Sequence, residues 1–298
     1  MAAFLRSILA VLLLVAPAST LAADKLKVVA SFSIIGDLVR NVGGDRIELV
    51  TLVGPDGDAH VYSPTPADGQ RIAEAAVVFL NGLGFEGWMN RLVRASGTRA
   101  TLVETANGTS AVAEARGRGP GRAAVDPHAW QNVTNARIYV AHIRDGLIAA
   151  DPAGKAIYAA RTDAYLARLD ALESEVKAAI ARIPADRRRI ITSHDAFAHF
   201  ETAYGLDFVA PQGVSTEAEA SAGDVARIIR QIRKERIGAV FFENISDPRL
   251  IERIAQETGA RIGERLYSDA LSGPNGPAAT YIDMMRHNIR ALSTALSR

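Results

Sequence analysis

Six histidines are spread along this 298-residue chain, and three of them sit where a scaffold could aim an imidazole into a cleft. His60 lies in the loop LVGPDGDAHVYSPTPAD, just past an apolar run. His128 lies in the turn DPHAWQNV, ahead of a helical pattern. His194, in ITSHDAFAHF, follows the apolar run RIIT. Asp269, in RLYSDALSGPNG, adds a carboxylate on a loop after the last strand-like run. Three neutral imidazole nitrogens and one carboxylate suit Zn2+ at ~2.0–2.2 Å, and also Mn2+ or Fe2+. The four candidates are 66 to 75 residues apart. Four unrelated polar loop residues could be spaced in the same way, so on residue chemistry alone both readings stand.

The remaining histidines fit the pattern less well. His142 and His287 fall within helical patterns among arginines, and His287 is off the apolar stripe of its helix. His199 is five residues after His194, which on one helix is ~140° away around the axis, so the two could not easily serve one small site. His199 reads as a helix-surface or packing residue.

The elements that would carry these loops alternate. Strand-like runs fall at 25–32, 47–53, 76–81 and 100–104, and again at 189–193, 207–210, 239–244 and 260–264. Helical patterns lie between them, which predicts βαβ units and parallel sheets. Four strands before residue 110 and four after 189 predict an α/β protein of two lobes, each a parallel sheet flanked by helices. In open sheets of this kind the ligand crevice lies beyond the C-terminal ends of strands, where His60 and His194 fall. Between the lobes, 151–184 opens on Asp151-Pro152 as a helix start and carries apolar residues at Tyr158, Tyr165, Leu169, Leu172, Val176, Ile180 and Ile183 before Pro184. A helix of ~30 residues would be a rigid rod ~45 Å long. The boundaries are thus a first lobe over 24–150, a linking helix over 151–184 and a second lobe over 185–298. A last stripe (Ile282, Met285, Ile289, Leu292, Leu296) should lie back on a core.

Residues 1–23 read as a secretory signal peptide, with Arg6, an apolar stretch from Ile8 to Ala16 and small residues around the cleavage point. No cysteine follows to take a lipid anchor, and no later run approaches the ~18 apolar residues of a membrane span. The mature chain is expected to be periplasmic, soluble and held by packing alone, since the sequence has no cysteine for disulfides. Against 34 basic and 33 acidic residues, loss of Arg6 leaves no net charge, which argues against a nucleic-acid partner. Residues 105–125, rich in Gly, Ala and Arg, read as a mobile surface loop. NGLGFEG matches the glycine spacing of a dinucleotide fingerprint at Gly82, Gly84 and Gly87. It follows the third strand instead of the first and places Phe85-Glu86 where a pyrophosphate would approach, so nucleotide binding is not expected.

Taken together, VASFSIIGDLVRNVGGDRIEL, LVGPDGDAHVYSPTPAD, NGLGFEGWM, DPHAWQNVTNARIYV, TSHDAFAHFETAYGL, FFENISDPRLIERIAQETG and LYSDALS resemble the cluster A-I solute-binding proteins of zinc/manganese ABC importers. The resemblance covers essentially the whole mature chain and accounts for the glycine spacing without a nucleotide. It implies two α/β lobes joined by one long helix, with the metal between them. By position it makes His60, His128, His194 and Asp269 the ligands, and puts His199 where the family commonly has an aromatic residue. It implies no enzyme activity, and a membrane permease with a cytoplasmic ATPase as partners of a monomer. Asp195 and Glu243 are the carboxylates expected behind the imidazoles.

Three imidazoles favour Zn2+ over Mn2+ by the Irving–Williams order. Yet 105–125 lacks the histidine-rich tract that dedicated zinc importers of the family often carry, which keeps Mn2+ or Fe2+ as the alternative. Only deprotonated ligands bind, so affinity is expected to fall roughly below pH 6.5. The rival classes are a zinc hydrolase, an adhesin and a binder of metal chelates. The hydrolase would need an open coordination position and a general base, and no motif supplies either.

Overall fold

The computed structural model describes residues 25–112 and 125–297, so the expected signal peptide and most of the 105–125 loop lie outside the described residues. The first sheet is built from β1 (Leu26–Phe32), β2 (Ile47–Val53), β3 (Val77–Leu80) and β4 (Thr101–Glu104), all parallel, in the order β2-β1-β3-β4. Val28, Val29, Ala30 and Phe32 of β1 are all buried. That continuous apolar run is the mark of a central parallel strand covered on both faces. Three helices connect these strands: α1 (Ser33–Gly43), α2 (Pro66–Glu74), capped by a reciprocal Thr65–Asp68 capping box, and α3 (Met89–Ser96).

From β4 the chain passes through the His128 turn into α4 (Val133–Ala150) and then α5 (Lys155–Ala181). Asp151 caps as expected, accepting from Gly154 N at 3.2 Å, but the segment it opens is one 3-10 turn, Pro152–Gly154. The helix proper therefore spans 27 residues, ~40 Å, instead of the whole of 151–184. Its buried positions are Tyr158, Thr162, Tyr165, Leu169, Leu172, Val176 and Ile180, one stripe at three- and four-residue steps.

The second sheet repeats the order of the first as β6-β5-β7-β8, again parallel, from β5 (Arg189–Ile191), β6 (Asp207–Val209), β7 (Ala239–Val240) and β8 (Arg261–Ile262). Helices α6 (Ala198–Tyr204), α7 (Ala222–Glu235) and α8 (Arg249–Thr258) alternate with these strands, and α9 (Tyr281–Leu296) closes the chain. The strands here are shorter than the apolar runs suggest. AVFFEN pairs regularly only at Ala239–Val240, and Glu243 then forms a lone parallel bridge with Leu266.

One large apolar core runs from β1 through α4, α5 and α9 to Phe197, Phe200 and Phe208 of the second lobe. A second cluster of eight buried residues, including Ile191, Ile228, Val240 and Ile254, joins α7 and α8 to the second sheet. The expected stripe Ile282, Met285, Ile289, Leu292 and Leu296 is buried, and α9 packs on α5 and α1. Among the described residues no helix is long and apolar enough to cross a membrane.

Candidate metal centre

The loops after β2, β4, β5 and β8 converge between the lobes, and each delivers one of the four candidate side chains. His60, His128, His194 and Asp269 bring one donor atom each to within 4.8 Å of one another. His60 Nε2 lies 3.3 Å from His128 Nε2 and 3.2 Å from Asp269 Oδ2. His194 Nε2 lies 3.1 Å from the same Oδ2, and His128 Nε2 lies 3.6 Å from Asp269 Oδ1. An ion with bonds of ~2.1 Å at tetrahedral angles holds its donors ~3.4 Å apart, so these separations match a small metal. His128, His194 and Asp269 have no solvent exposure, and His60 has 7%.

Each side chain is held from behind. His60 donates its backbone N–H to Asp58 Oδ1 at 2.9 Å and packs edge-on against Phe85, whose ring centroid is 4.5 Å away. Asp126 Oδ1 accepts from both the backbone N (2.8 Å) and the ring Nδ1 (2.9 Å) of His128. That orients the ring with Nε2 turned inward. On the other lobe Glu243 stands behind His194. Its Oε1 accepts from the backbone N of Ser193 and His194 at 2.9 and 3.0 Å, and its Oε2 lies 2.5 Å from His194 Nδ1. Asp269 is placed by its neighbour: Ser268 O accepts from Trp130 Nε1 at 2.9 Å and Gln131 Nε2 at 2.7 Å, both of the first lobe. Asp269 Oδ1 is buried with no hydrogen-bond partner.

Glu243 was legible as a carboxylate behind an imidazole. For His128 the carboxylate is Asp126, with its signal in the D-P-H triplet itself, where the acid two residues upstream can bond both the amide and the ring. Asp195 instead has its backbone N–H on Gly213 O, at 3.3 Å. His199 is no surface residue: it is 1% exposed, and its Nε2 bonds Asp126 O at 3.0 Å, bracing the turn that carries His128. His142 contacts Thr105 O and His287 contacts Arg265 O, both away from the centre.

Three buried carboxylates around these imidazoles govern protonation. Burial opposes charge on His128, but Asp269 and Asp126 outweigh it and push the imidazole up to about 9. Burial likewise opposes charge on His194, where Glu243 and Asp269 raise it well above the ordinary histidine range. Burial would raise Asp269, yet the two imidazoles hold it well below the usual carboxylate range.

The glycine stretch is filled from within. Gly82 and Gly84 take the left-handed backbone, at φ 85° and 81°, that only glycine adopts freely. The amides a phosphate would need are taken by Glu86, whose Oε1 accepts from Asn81 N at 2.7 Å and whose Oε2 accepts from Gly82 N at 3.3 Å.

Residues 28–295 match the family model described as zinc-uptake complex component A, periplasmic. The chain belongs to this family. The manganese-binding lipoprotein MntA of Halalkalibacterium halodurans is 34% identical over 275 residues, 92% of this chain and 90% of that protein. The iron-binding protein YfeA of Yersinia pestis is 32% identical over 271 residues, 91% and 86% of the two. Among solved structures, the periplasmic zinc-binding protein TroA of Treponema pallidum superposes with a TM-score of 0.86 at 29% identity, covering 92% of this chain and all (100%) of that one. The Mn-bound periplasmic metal-binding protein from Candidatus Liberibacter asiaticus gives 0.81 at 28% identity, with coverage of 92% and 100%. This member of the zinc-uptake family is accordingly the substrate-binding component of a metal importer, and the hydrolase reading falls.

Proposed function

We propose that this importer component captures Zn2+ outside the cytoplasmic membrane, in the periplasm, and hands it to a membrane permease driven by a cytoplasmic ATPase. His60, His128, His194 and Asp269 are the ligands. The first lobe (24–150) supplies two, the second (185–298) supplies two, and the segment 151–184 limits how far the lobes can part. The observation that carries this reading is four buried donor atoms within 4.8 Å, at separations a single small ion would impose. Because each lobe gives two donors, a bound ion favours the assembled cleft over an open one, which offers fewer.

Three imidazole nitrogens support zinc over manganese. One feature favours the alternative, Mn2+ or Fe2+. Asp269 Oδ1 has no hydrogen-bond partner, so the carboxylate is free to grip an ion through both oxygens and supply the fifth donor these metals accept. The relatives named for manganese and iron fit that alternative equally. The test is the metal content of the protein isolated from the periplasm, then Zn2+/Mn2+ competition on the stripped chain, repeated with His194→Ala and Asp269→Ala. One equivalent of zinc, lost in both variants, supports the whole reading. Manganese or iron would overturn the zinc assignment alone. Undiminished binding in both variants would overturn the ligand set.

A further inference from the structure

A cavity of about 500 Å3 opens on the second lobe, with Asp58 of the first lobe on its rim. Asp58 and Ser193 line it, the first two residues before His60 and the second one before His194, together with Gln212, Thr216 and Ser246. Asp58 joins the lobes here. Its Oδ1 accepts from His60 N at 2.9 Å, and its Oδ2 accepts from Thr216 Oγ1 at 2.6 Å. Thr216 belongs to the loop between β6 and α7, and that loop is tied back towards the centre by Gln212. Gln212 Nε2 donates to Thr216 O at 3.2 Å, and Gln212 N donates to Ser193 O at 3.4 Å. A polar path therefore runs from His60 to His194 without passing through the metal position.

Two observations set the neighbourhood of this tie apart. His60 is the only one of the four candidate ligands with any exposure, 7% against 0% for the rest. Ser193, on the cavity wall, is 2% exposed and its Oγ has no hydrogen-bond partner. A buried hydroxyl left unpaired beside a cavity is a place for water or for the hydration shell of a passing cation. On the first-lobe side His60 is already anchored, since Trp88 Nε1 donates to Ala59 O at 2.8 Å. Asp56 of the same loop also reaches the second lobe, its N–H on Leu271 O and its Oδ1 accepting from Asn244 Nδ2, both at 2.9 Å; what Asp58 adds is a tie at the residue that also holds the His60 amide.

We infer that Asp58 is a positioning residue which latches His60 to the second lobe through Thr216, and that the metal exchanges through the cleft this latch closes. The inference rests on the proposed roles of His60 and His194 as ligands. Neither Asp58 nor Thr216 supplies a donor to the ion, so breaking the tie leaves the donor set intact. Release must begin with the loss of one ligand, and His60 is the one freed when the two loops part.

The test is the rate at which the Zn2+-loaded full chain gives up its ion to an excess of chromogenic chelator in a stopped-flow experiment. Thr216→Val should release about tenfold faster, as expected for losing one hydrogen bond to a carboxylate. Its association rate should stay at the wild-type value, so that Kd rises with the release rate. Thr216→Ser and Asp58→Asn each keep a donor and an acceptor across the gap and should stay within about twofold of wild type. Asp58→Ala combined with Thr216→Val should fall well short of the product of the two single effects, because both remove the same bond. Wild-type release in Thr216→Val, release in Thr216→Ser as fast as in Thr216→Val, or full additivity in the double variant would each overturn the latch. Loss of binding in His194→Ala alongside wild-type release in Thr216→Val sinks the latch alone. Retained binding in His194→Ala removes the ligand assignment and the latch with it.

Discussion

Loading the centre should expel about two protons per divalent cation at pH 7. His128 is held up to about 9 and His194 well above its ordinary range, so both imidazoles are protonated in the metal-free protein at that pH. A divalent ion that replaces two protons leaves the buried charge of the centre unchanged, which is the balance its three carboxylates favour. Displacing the His128 proton at pH 7, two units below its folded value, costs about 3 kcal/mol. Each imidazole that must be stripped weakens binding by about tenfold per unit fall in pH, so the two together give about a hundredfold. The sign is that affinity rises with pH until the His128 range near 9 is passed. The decline thus begins well above the 6.5 expected for an unperturbed histidine. Calorimetric titration of the stripped protein in buffers of differing ionisation enthalpy reads the proton count directly. Asp126→Asn removes one of the two carboxylates that raise His128, and the count should then fall towards one. A count near zero at pH 7 with binding intact would refute the reasoning, because it would mean both imidazoles are neutral in the free protein.

Glu243→Gln should weaken metal binding by about 10- to 100-fold without unfolding the chain, since the glutamate orients His194 from behind; competition with a chelator measures it. Asp37 is buried, and burial raises its carboxyl to about 6 while Tyr281 N donates to Oδ2 at 2.9 Å. A carboxyl raised in the folded state favours folding most below its unfolded value and loses that contribution as pH rises through about 6. Asp37→Asn should therefore raise the melting temperature at pH 7.5, by the equivalent of about 1–3 kcal/mol, and leave it little changed near pH 4; a lower melting temperature at pH 7.5 would contradict this. At Gly146 an added Cβ would meet Phe79 Cε1 at 2.9 Å and Val103 Cγ2 at 3.0 Å. Gly146→Ala should cost about 1–3 kcal/mol by forcing α4 off the first sheet, read as a lower midpoint in denaturant with metal absent.

Much of this arrangement was legible in the residues. Strand-end loops offered His60, His128, His194 and Asp269 only as candidates, and it was the family resemblance that grouped them as the structure does; the stripe from Tyr158 to Ile180 announced α5, because burial on one face imposes its period on a helix. The length of the second lobe's strands was not legible. AVFFEN is apolar enough for six residues of sheet, yet regular pairing stops at Val240, and Glu243 beyond it serves the His194 amide. Of the two readings of His199, surface or packing, the structure takes packing, but the helical spacing from His194 is not the reason: α6 starts only at Ala198, and the ring meets Asp126 O. Nor could a pattern of elements show that the main core is shared between the lobes. That follows from which faces meet, and local periodicity does not carry that information.

The seat of α9 on α1 has a consequence for how the chain is made. Tyr281 reaches Asp37 across 244 residues of sequence, and its hydroxyl bonds Trp130 O at 2.7 Å. Synthesis at ~5–20 residues per second puts about 10 to 50 s between the appearance of Asp37 and that of Tyr281. For that interval Asp37 lacks the Tyr281 amide, and the part of the core shared by α5 and α9 cannot close. No copy of this protein can therefore finish folding before α9 is available to pack, however early the rest of the first lobe has been made.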